Sequence, residues 1–353
     1  MRKVSLWVLS ASFGGLLGGC ANLGYYAQAV SGHLAIQQRA EPVSAVIEDP
    51  KASPNLKQAL SKAVQMRAFA SRELGLPDNQ SFTRYADLQR PFVVWNVFAA
   101  DEFSTKPLQW CFIGVGCVPY RGFFAQQDAE DFAAELRRSG TDVFMGGVPA
   151  YSTLGWFDDP LLNTFIGYPE AELAQLLFHE LAHQVVFVSD DSTFNESFAT
   201  AVEQEGVNRW LTLHGSAAQR TAFDALQQRK TEYIARMLST RQQLQTVYDS
   251  SIDPAAKRAT KTQLLAELRA DLAQGSKHPE RWQAVQLNNA QLASIATYTQ
   301  LVPAFRALLA QQQGDMQKFY VAVKALSGLP KLERNALLQA ALDESRKQLA
   351  ANP

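Results

Sequence analysis

The spacing of apolar residues predicts a chain that is mostly helical, with one β-rich stretch before its middle. Apolar side chains recur every three or four residues over most of the sequence, which is the period of a helix with one buried face. Between about residues 91 and 145 the pattern changes to short runs of β-branched and aromatic residues, which are typical of strands. The predicted helices in this first half cover 24–42, 54–74 and 126–138, and the predicted strands cover 91–99, 108–112 and 141–145.

The remainder of the chain is predicted to be helical. Residues 215–277 are rich in Gln, Lys, Arg and Glu with Leu at helical spacing, and Asp253-Pro254 interrupts them, so the segment predicts a long helical hairpin. Further helices are predicted over 282–312 and 332–350. The sequence therefore indicates an α+β, mostly helical fold. The predicted divisions are a signal segment (1–19), an N-terminal helical segment (20–90), a core (91–214) and a helical C-terminal region (215–353). The last region is expected to complete a cleft on the core.

An apolar run in the core, residues 173–183, contains His179, Glu180 and His183 in the order H-E-x-x-H. On a helix, residues i and i+4 lie on one face, so both imidazoles can bind one metal ion while Glu180 faces a water beside it. The alternative is that both histidines are ordinary core residues, but buried imidazoles and a carboxylate without partners are costly. The run therefore predicts a zinc site in which Glu180 is the general base toward a metal-activated water.

A catalytic zinc site needs a third protein ligand. The polar stretch 189–193 ends the first helix, and a second helix over about 195–213 would return antiparallel and place Glu196 beside the two imidazoles. The predicted metal ligands are thus His179, His183 and Glu196. Glu203, seven residues further on, is a candidate hydrogen-bond partner for a ligand histidine, with a solvated helix acid as the alternative.

Peptide hydrolysis at such a site also uses a donor that stabilises the oxyanion. Tyr298, on a later predicted helix, is the first candidate because a phenol can donate to a developing alkoxide. Tyr151, Tyr233 and His214 are rivals, and for each of them a core or surface role is the better single interpretation. Asn288 and Asn289 are either helix-start residues or polar groups of the cleft. Residues 148–154, which contain Pro149, form either an edge strand that a peptide could extend or an ordinary connector.

The beginning of the chain has the pattern of an export signal. Arg2 and Lys3 precede an apolar stretch, and Leu17-Gly18-Gly19-Cys20 has the form of a lipobox, so Cys20 is expected to become the lipidated first residue. The apolar stretch is shorter than the roughly 20 residues that span a bilayer. By resemblance to Gram-negative lipoproteins, Ala21 favours the periplasmic face of the outer membrane.

Composition bears on partners and on crosslinking. The 353 residues include 33 basic and 34 acidic ones, and removal of Arg2 and Lys3 makes the balance more acidic, so nucleic acid is not expected as a partner. Besides Cys20 there are two cysteines, Cys111 and Cys117, which flank a Gly-containing turn. In an exported protein they can form a small-loop disulfide, and a pair of buried free thiols is the alternative.

These motifs together carry a family resemblance. The H-E-x-x-H motif followed by Asn195-Glu196-Ser197-Phe198-Ala199 resembles the gluzincin peptidases, in which the third zinc ligand is a glutamate on the following helix. With the lipobox, the stretch 151–157 and Asn288-Asn289-Ala290, the chain resembles a bacterial family of lipoprotein aminopeptidases. The resemblance implies a zincin-like core with a small mixed sheet beside the H-E-x-x-H helix, a bound Zn²⁺ and a peptide substrate.

The sequence departs from the large gluzincin aminopeptidases in two respects. The interval from His183 to Glu196 is shorter, and their G-x-M-E-N strand, which binds the substrate amine, is absent. A free amine would then have to be bound by Glu172, Glu203 or Asp158. The sequence predicts a zinc metallopeptidase of the cell envelope, and the alternatives are an envelope endopeptidase and a non-catalytic lipoprotein scaffold with a structural metal.

Overall fold

The computed structural model of the chain describes residues 14–112, 116–150, 152–276, 278–283 and 285–351. The helices are α1 (Gly14–Arg39), α2 (Val43–Glu48), α3 (Pro54–Leu74), α4 (Gln126–Arg138), α5 (Glu170–Ala182), α6 (Ser192–His214), α7 (Ala217–Asp249), α8 (Pro254–Gln274), α9 (Glu280–Gln283), α10 (Asn289–Thr299), α11 (Val302–Gln311), α12 (Met316–Ser327) and α13 (Lys331–Ala351). The strands are β1 (Glu41–Pro42), β2 (Arg84–Ala86), β3 (Val94–Ala100), β4 (Trp110–Phe112), β5 (Gly116–Val118), β6 (Arg121–Phe123), β7 (Asp142–Val148) and β8 (Leu161–Leu162).

The prediction of a mostly helical α+β chain with small sheets is confirmed. Helix α4 has the predicted bounds, and α7 and α8 form the two arms of the predicted hairpin, separated at Asp253, which caps α8. Helix α1 ends at Arg39, three residues before the predicted end. The predicted signal segment falls partly on residues 1–13, which lie outside the described residues.

An antiparallel sheet in the order β6-β3-β7 supports one side of the fold. All seven residues of β3 are buried, and they alternate between two helices. Trp95 and Val97 pack with α4, whereas Phe98 and Ala100 pack against Ala290 of α10. The sheet therefore holds α10 at a fixed distance from α4. Strand β7 ends at Val148, the partner of Val94. Of the predicted segment 148–154, residues 152–154 are therefore not part of a strand.

Helices α5 and α6 form the centre of the main hydrophobic core. The side chains of Leu177, Phe178 and Phe198 are fully buried there. Gly206 permits the close approach of the two helices, because a Cβ at this position would lie 2.6 Å from the ring of Phe178. The core thus places the H-E-x-x-H helix directly against the helix that follows it.

No helix within the described parts of the chain has the length and apolar character needed to cross a membrane.

Candidate metal centre

The connection between α5 and α6 is fixed by side chains of the second helix. Asp191 caps α6 by accepting a hydrogen bond from the backbone N–H of Phe194 at 3.3 Å. The side-chain amide of Asn195 bonds both the N–H and the carbonyl of Val188, each at 2.8 Å. These bonds turn the chain back, so that the next residue, Glu196, lies on the side of α6 that packs against α5.

The two helices run antiparallel across the site. His183 at the end of α5 lies near Glu196 at the start of α6, while Gln175, two turns earlier on α5, donates to Glu203 further along α6. Both helices therefore direct polar side chains into the same gap within an otherwise apolar core.

Three donor atoms converge in this gap. His179 Nε2 lies 3.1 Å from His183 Nε2 and 3.3 Å from Glu196 Oε2, and His183 Nε2 lies 3.6 Å from the same carboxylate oxygen. A tetrahedral zinc ion with bonds of about 2.0–2.1 Å separates its ligand atoms by roughly 3.3–3.4 Å. The three separations bracket that value, so the spacing of the donor atoms is compatible with a zinc ion. The cluster of His179, His183 and Glu196 could hold a metal ion.

Glu203 fixes the orientation of one ligand. Its Oε2 lies 2.8 Å from Nδ1 of His179, and its Oε1 accepts a hydrogen bond from Gln175 at 2.5 Å. A proton on Nδ1 leaves the lone pair of Nε2 directed toward the gap, which is the tautomer that a metal ligand needs. His183 differs, because its buried Nδ1 has no hydrogen-bond partner among the described residues.

Burial and charge act in opposition at the ligands. Burial raises the pKa of Glu196, but the charge of His183 and hydrogen bonds to both histidines outweigh it and lower the pKa to about 2. Burial lowers the pKa of His179, but hydrogen bonds to Glu196 and Glu203 outweigh it and raise the pKa well above 6.5. Glu196 is therefore an anion that stabilises positive charge in the gap, whether a proton or a metal ion supplies that charge.

Glu180 follows His179 on α5 and is half-buried beside the cluster. Burial, assisted by the charges of Glu196 and Glu203, raises the pKa of Glu180, although the two histidines oppose this effect. A carboxylate with a raised pKa is a stronger base, and this is the property that proton abstraction from water requires.

Tyr298 lies where α10 contacts α6. Its backbone carbonyl accepts a hydrogen bond from the hydroxyl of Thr200 at 3.5 Å, one turn along α6 from Glu196. In addition, Ser197 Oγ accepts a hydrogen bond from the N–H of Leu301 at 3.2 Å. Burial raises the pKa of Tyr298, and the nearby charge of Glu196 raises it further. The phenol therefore remains protonated and able to donate.

A second phenol, Tyr120, was not among the candidates from the sequence. Its ring packs 5.4 Å from that of Phe98, in the cluster that also contains the Tyr298 side chain. Burial raises the pKa of Tyr120, and Glu196 and Glu180 contribute to the increase. Neither tyrosine hydroxyl forms a hydrogen bond to a described residue. No spacing pattern along the chain indicates Tyr120, because its neighbours come from β3 and from helices far along the chain.

The hairpin before Tyr120 is attached to the metal-site loop. Cys111 and Cys117 are joined by a disulfide across strands β4 and β5. The backbone N–H of Cys117 donates to Oδ1 of Asp190 at 2.6 Å, and Asp190 lies in the connection between α5 and α6. The crosslinked hairpin is thereby held beside the site, and it leads directly into Tyr120.

Two rival donors from the sequence, Tyr233 and His214, are not brought to the cluster. Tyr233 packs against Trp282 in the core of the α7–α8 hairpin, and the ring of His214 lies 4.2 Å from that of Trp210. Tyr151 lies outside the described residues.

The Asn288-Asn289 pair begins α10. Asn288 caps the helix by accepting from the N–H of Gln291 at 3.0 Å, and it donates to the carbonyl of Val143. Buried Asn289 accepts a hydrogen bond from the Tyr248 hydroxyl at 2.9 Å. Of the two roles left open by the sequence, the structure shows that of helix-start residues, which attach α10 to β7 and α7.

A groove of about 280 Å³ runs along α5 beside the cluster; it is lined by Tyr168, Glu172, Gln175, Leu176, His179, Glu180, Glu203 and Lys230. Of the three acids considered for amine binding, Glu203 is already bonded to His179, and Asp158 does not line the groove. Glu172 lines the groove and forms no hydrogen bond or ion pair with a described residue. Of these three acids, Glu172 is the one that remains available to a ligand.

A comparison with known families identifies one family that the chain matches. The model of a family described as "Putative aminopeptidase" matches residues 24–338, a span that contains the whole metal centre. Neither curated proteins nor solved structures give a significant match. The description of the family implies peptidase activity on a peptide substrate. Since the match covers most of its length, the chain belongs to the putative aminopeptidase family.

Proposed function

We propose that this protein is a zinc-dependent metallopeptidase of the gluzincin type, with His179, His183 and Glu196 as the zinc ligands. The observation that carries the proposal is the triangle of donor atoms, with sides of 3.1, 3.3 and 3.6 Å. Two imidazoles and a carboxylate are a donor set that zinc prefers at catalytic centres. The family description supports a peptide as the substrate.

Each surrounding side chain then has a defined task. Zinc would supply a Lewis acid that polarises the scissile carbonyl. Glu180 accepts the proton of the attacking water and returns it to the leaving amine. Tyr298 donates a hydrogen bond to the oxyanion, and Tyr120 adds a second. Glu203 keeps His179 in the tautomer that leaves Nε2 free.

Aminopeptidase specificity requires a group that binds a free amine, and we assign this to Glu172. The assignment rests on the open groove along α5, in which Glu172 forms no hydrogen bond or ion pair with a described residue. Glu172 precedes His179 by seven residues, so the two lie about 10 Å apart along the helix axis. An extended peptide advances about 3.3–3.6 Å per residue, so the amine would be bound two or three residues before the scissile bond.

The proposed location is the cell envelope, on the periplasmic face of the outer membrane. The lipobox before Cys20 supports lipid attachment there, and α1 begins at that end of the chain. A lipid on Cys20 would tether the catalytic core without a spanning helix.

The Glu180→Gln variant tests the mechanism, since it removes the base and preserves the shape of the side chain. We expect it to retain zinc and to lose peptide turnover by about 10²–10⁴-fold. The assay is digestion of a peptide library, with zinc measured on the same samples. Full activity in the variant would contradict the proposal. Zinc binding by a parent protein that cleaves no peptide would favour the structural-metal scaffold instead.

A further inference from the structure

Helix α1 carries no charged side chain until its last residue. No Asp, Glu, Lys or Arg occurs from Val4 to Gln38, although such residues make up 19% of the chain. Part of this uncharged surface faces solvent, since Val30 is 59% exposed and Leu34 is 51% exposed. A solvated helix face normally carries charges, so the lack of charge indicates that this face contacts something other than water.

Two exposed aromatic residues lie beside it. Trp156 is 80% exposed and Phe157 is 56% exposed, at the tip of the loop that precedes β8. The ring of His33 on α1 lies 4.5 Å from that of Phe157, and the side chain of Gln37 donates to the carbonyl of Asp158 at 3.2 Å. These contacts join the loop to the helix.

The exposed apolar residues of the helix lie on the side that carries His33, which contacts the loop. At 3.6 residues per turn, Val30 and Leu34 lie about 60° and 100° around α1 from His33, on the same side. The exposed side chains of Val30 and Leu34 on the helix and of Trp156 and Phe157 on the attached loop are here called the apolar face.

We propose that the apolar face lies on the surface of a phospholipid bilayer. Tryptophan and phenylalanine rings are favoured at the boundary between headgroups and acyl chains. An uncharged helix face can enter this boundary without the cost of dehydrating a charged group. The choice of a bilayer over a second copy of the chain rests on the proposed lipidation. Cys20 precedes Val30 by ten residues on the same helix, or about 15 Å, so a lipid at Cys20 would bring this face to the membrane.

The apolar face is also close to the metal centre. Gly155, next to Trp156, lies against the side chain of Gln184, which follows His183 directly; a Cβ on Gly155 would be 3.6 Å from Gln184 Cγ. Bilayer contact would therefore hold the active site near the membrane surface. The proposal identifies peptides at that surface as the accessible substrates.

The test uses the mature chain from residue 20 with Cys20→Ser, so that no lipid is attached. Its partition onto vesicles of phosphatidylethanolamine and phosphatidylglycerol is measured by co-sedimentation. We expect binding that weakens at least tenfold in the fourfold variant, which carries Val30→Gln, Leu34→Gln, Trp156→Ser and Phe157→Ser. The control, Leu213→Gln with Val321→Gln, alters apolar residues that are 63% and 69% exposed elsewhere, and it should bind as the parent does. Equal loss in the control, or no binding by the parent, overturns the proposal.

Further outcomes identify other occupants. A parent that is a dimer without lipid, and becomes monomeric only in the fourfold variant, would assign the face to a second copy and overturn the proposal. A variant that binds vesicles normally but loses kcat/KM on a soluble peptide would assign it to substrate and also overturn it. Trp156→Ser alone changes a side chain in solvent and should fold normally, so its weaker vesicle binding supports the proposal independently. Zinc content and soluble-peptide activity should remain at parental levels in every variant, which separates failure here from failure of the proposed catalytic function.

Discussion

Glu203 Oε2 lies 2.8 Å from Nδ1 of His179, while Nε2 of the same ring faces Glu196 at 3.3 Å. One imidazole is thus held between two carboxylates, one on each nitrogen. A ring in this position cannot rotate without breaking a hydrogen bond, so the direction in which Nε2 points is fixed before any ion binds.

Replacing Glu203 should weaken metal binding without removing a ligand. In Glu203→Gln we expect the zinc affinity to fall by about 10–100-fold, because the neutral amide supports the His179 ring less strongly. Competition with a zinc chelator measures this change. Glu205→Gln on the same helix, where the acid pairs with Arg209, is the matched control and should have parental affinity. Parental affinity in Glu203→Gln would refute this role for Glu203.

Zinc affinity should rise with pH. Burial lowers the pKa of His179, but its two carboxylate partners raise it well above 6.5, so the metal-free protein holds a proton that zinc must displace. Between about pH 6.5 and that raised pKa, we expect the affinity to increase about tenfold per pH unit. Glu196, with a pKa of about 2, remains ionised and adds no slope in this range. Chelator competition at pH 7, 8 and 9 measures the slope, and a flat profile would contradict it.

The same proton affects the stability of the metal-free fold. Because the pKa of His179 is raised on folding, the stabilisation is complete below about pH 6.5 and is lost as the pH rises through the folded-state pKa. In chemical unfolding of the metal-free protein, the free energy of unfolding should therefore decrease as the pH rises through that pKa.

Loss of the Tyr298 hydroxyl should slow the chemical step. We expect Tyr298→Phe to lower kcat by about 10²-fold with zinc content and KM nearly unchanged, because an oxyanion donor acts mainly in the transition state. Tyr120→Phe should give a smaller decrease of the same kind. Steady-state kinetics on one peptide measure both, and Tyr233→Phe, in a separate hydrophobic cluster, is the control. An increase in KM alone would show that Tyr298 binds substrate rather than the transition state.

Glu172 should determine where the peptide is cut. If it binds the substrate amine about 10 Å from His179, the products are di- or tripeptides. Glu172→Gln should raise KM at least tenfold for peptides with a free amine and leave N-acetylated peptides little affected. Mass spectrometry of the products and KM values for both substrates test this. Asp158→Asn, outside the groove, is the control, and release of single amino acids at equal rates by parent and variant would contradict the assignment.

The parts of the site that depend on local geometry were predictable from the sequence. The spacing of His179 and His183 defines one face of a helix, and only a short turn separates them from Glu196, so the sequence indicated all three positions that the structure brings together. Tyr120 depends on the register of β6 with β3, which no local pattern records.

Other features depend on contacts between distant parts of the chain. The cap and cleft roles of Asn288 were equivalent in the sequence, because the deciding partner, Val143, lies 145 residues away. Strand β7 ends at Val148, opposite the first residue of β3, Val94, and this pairing between distant segments is not visible in the local pattern. The contact between α1 and Phe157 likewise results from tertiary packing alone.

The zinc content of purified protein, with and without Glu196, tests the central claim most directly. We predict about one zinc ion per chain in the parent and in Glu205→Gln, and loss of both zinc and peptidase activity in Glu196→Gln. Elemental analysis by mass spectrometry after dialysis against metal-free buffer gives the number. A Glu196→Gln protein that keeps one zinc ion and full activity, or a fully active parent without metal, would contradict the account.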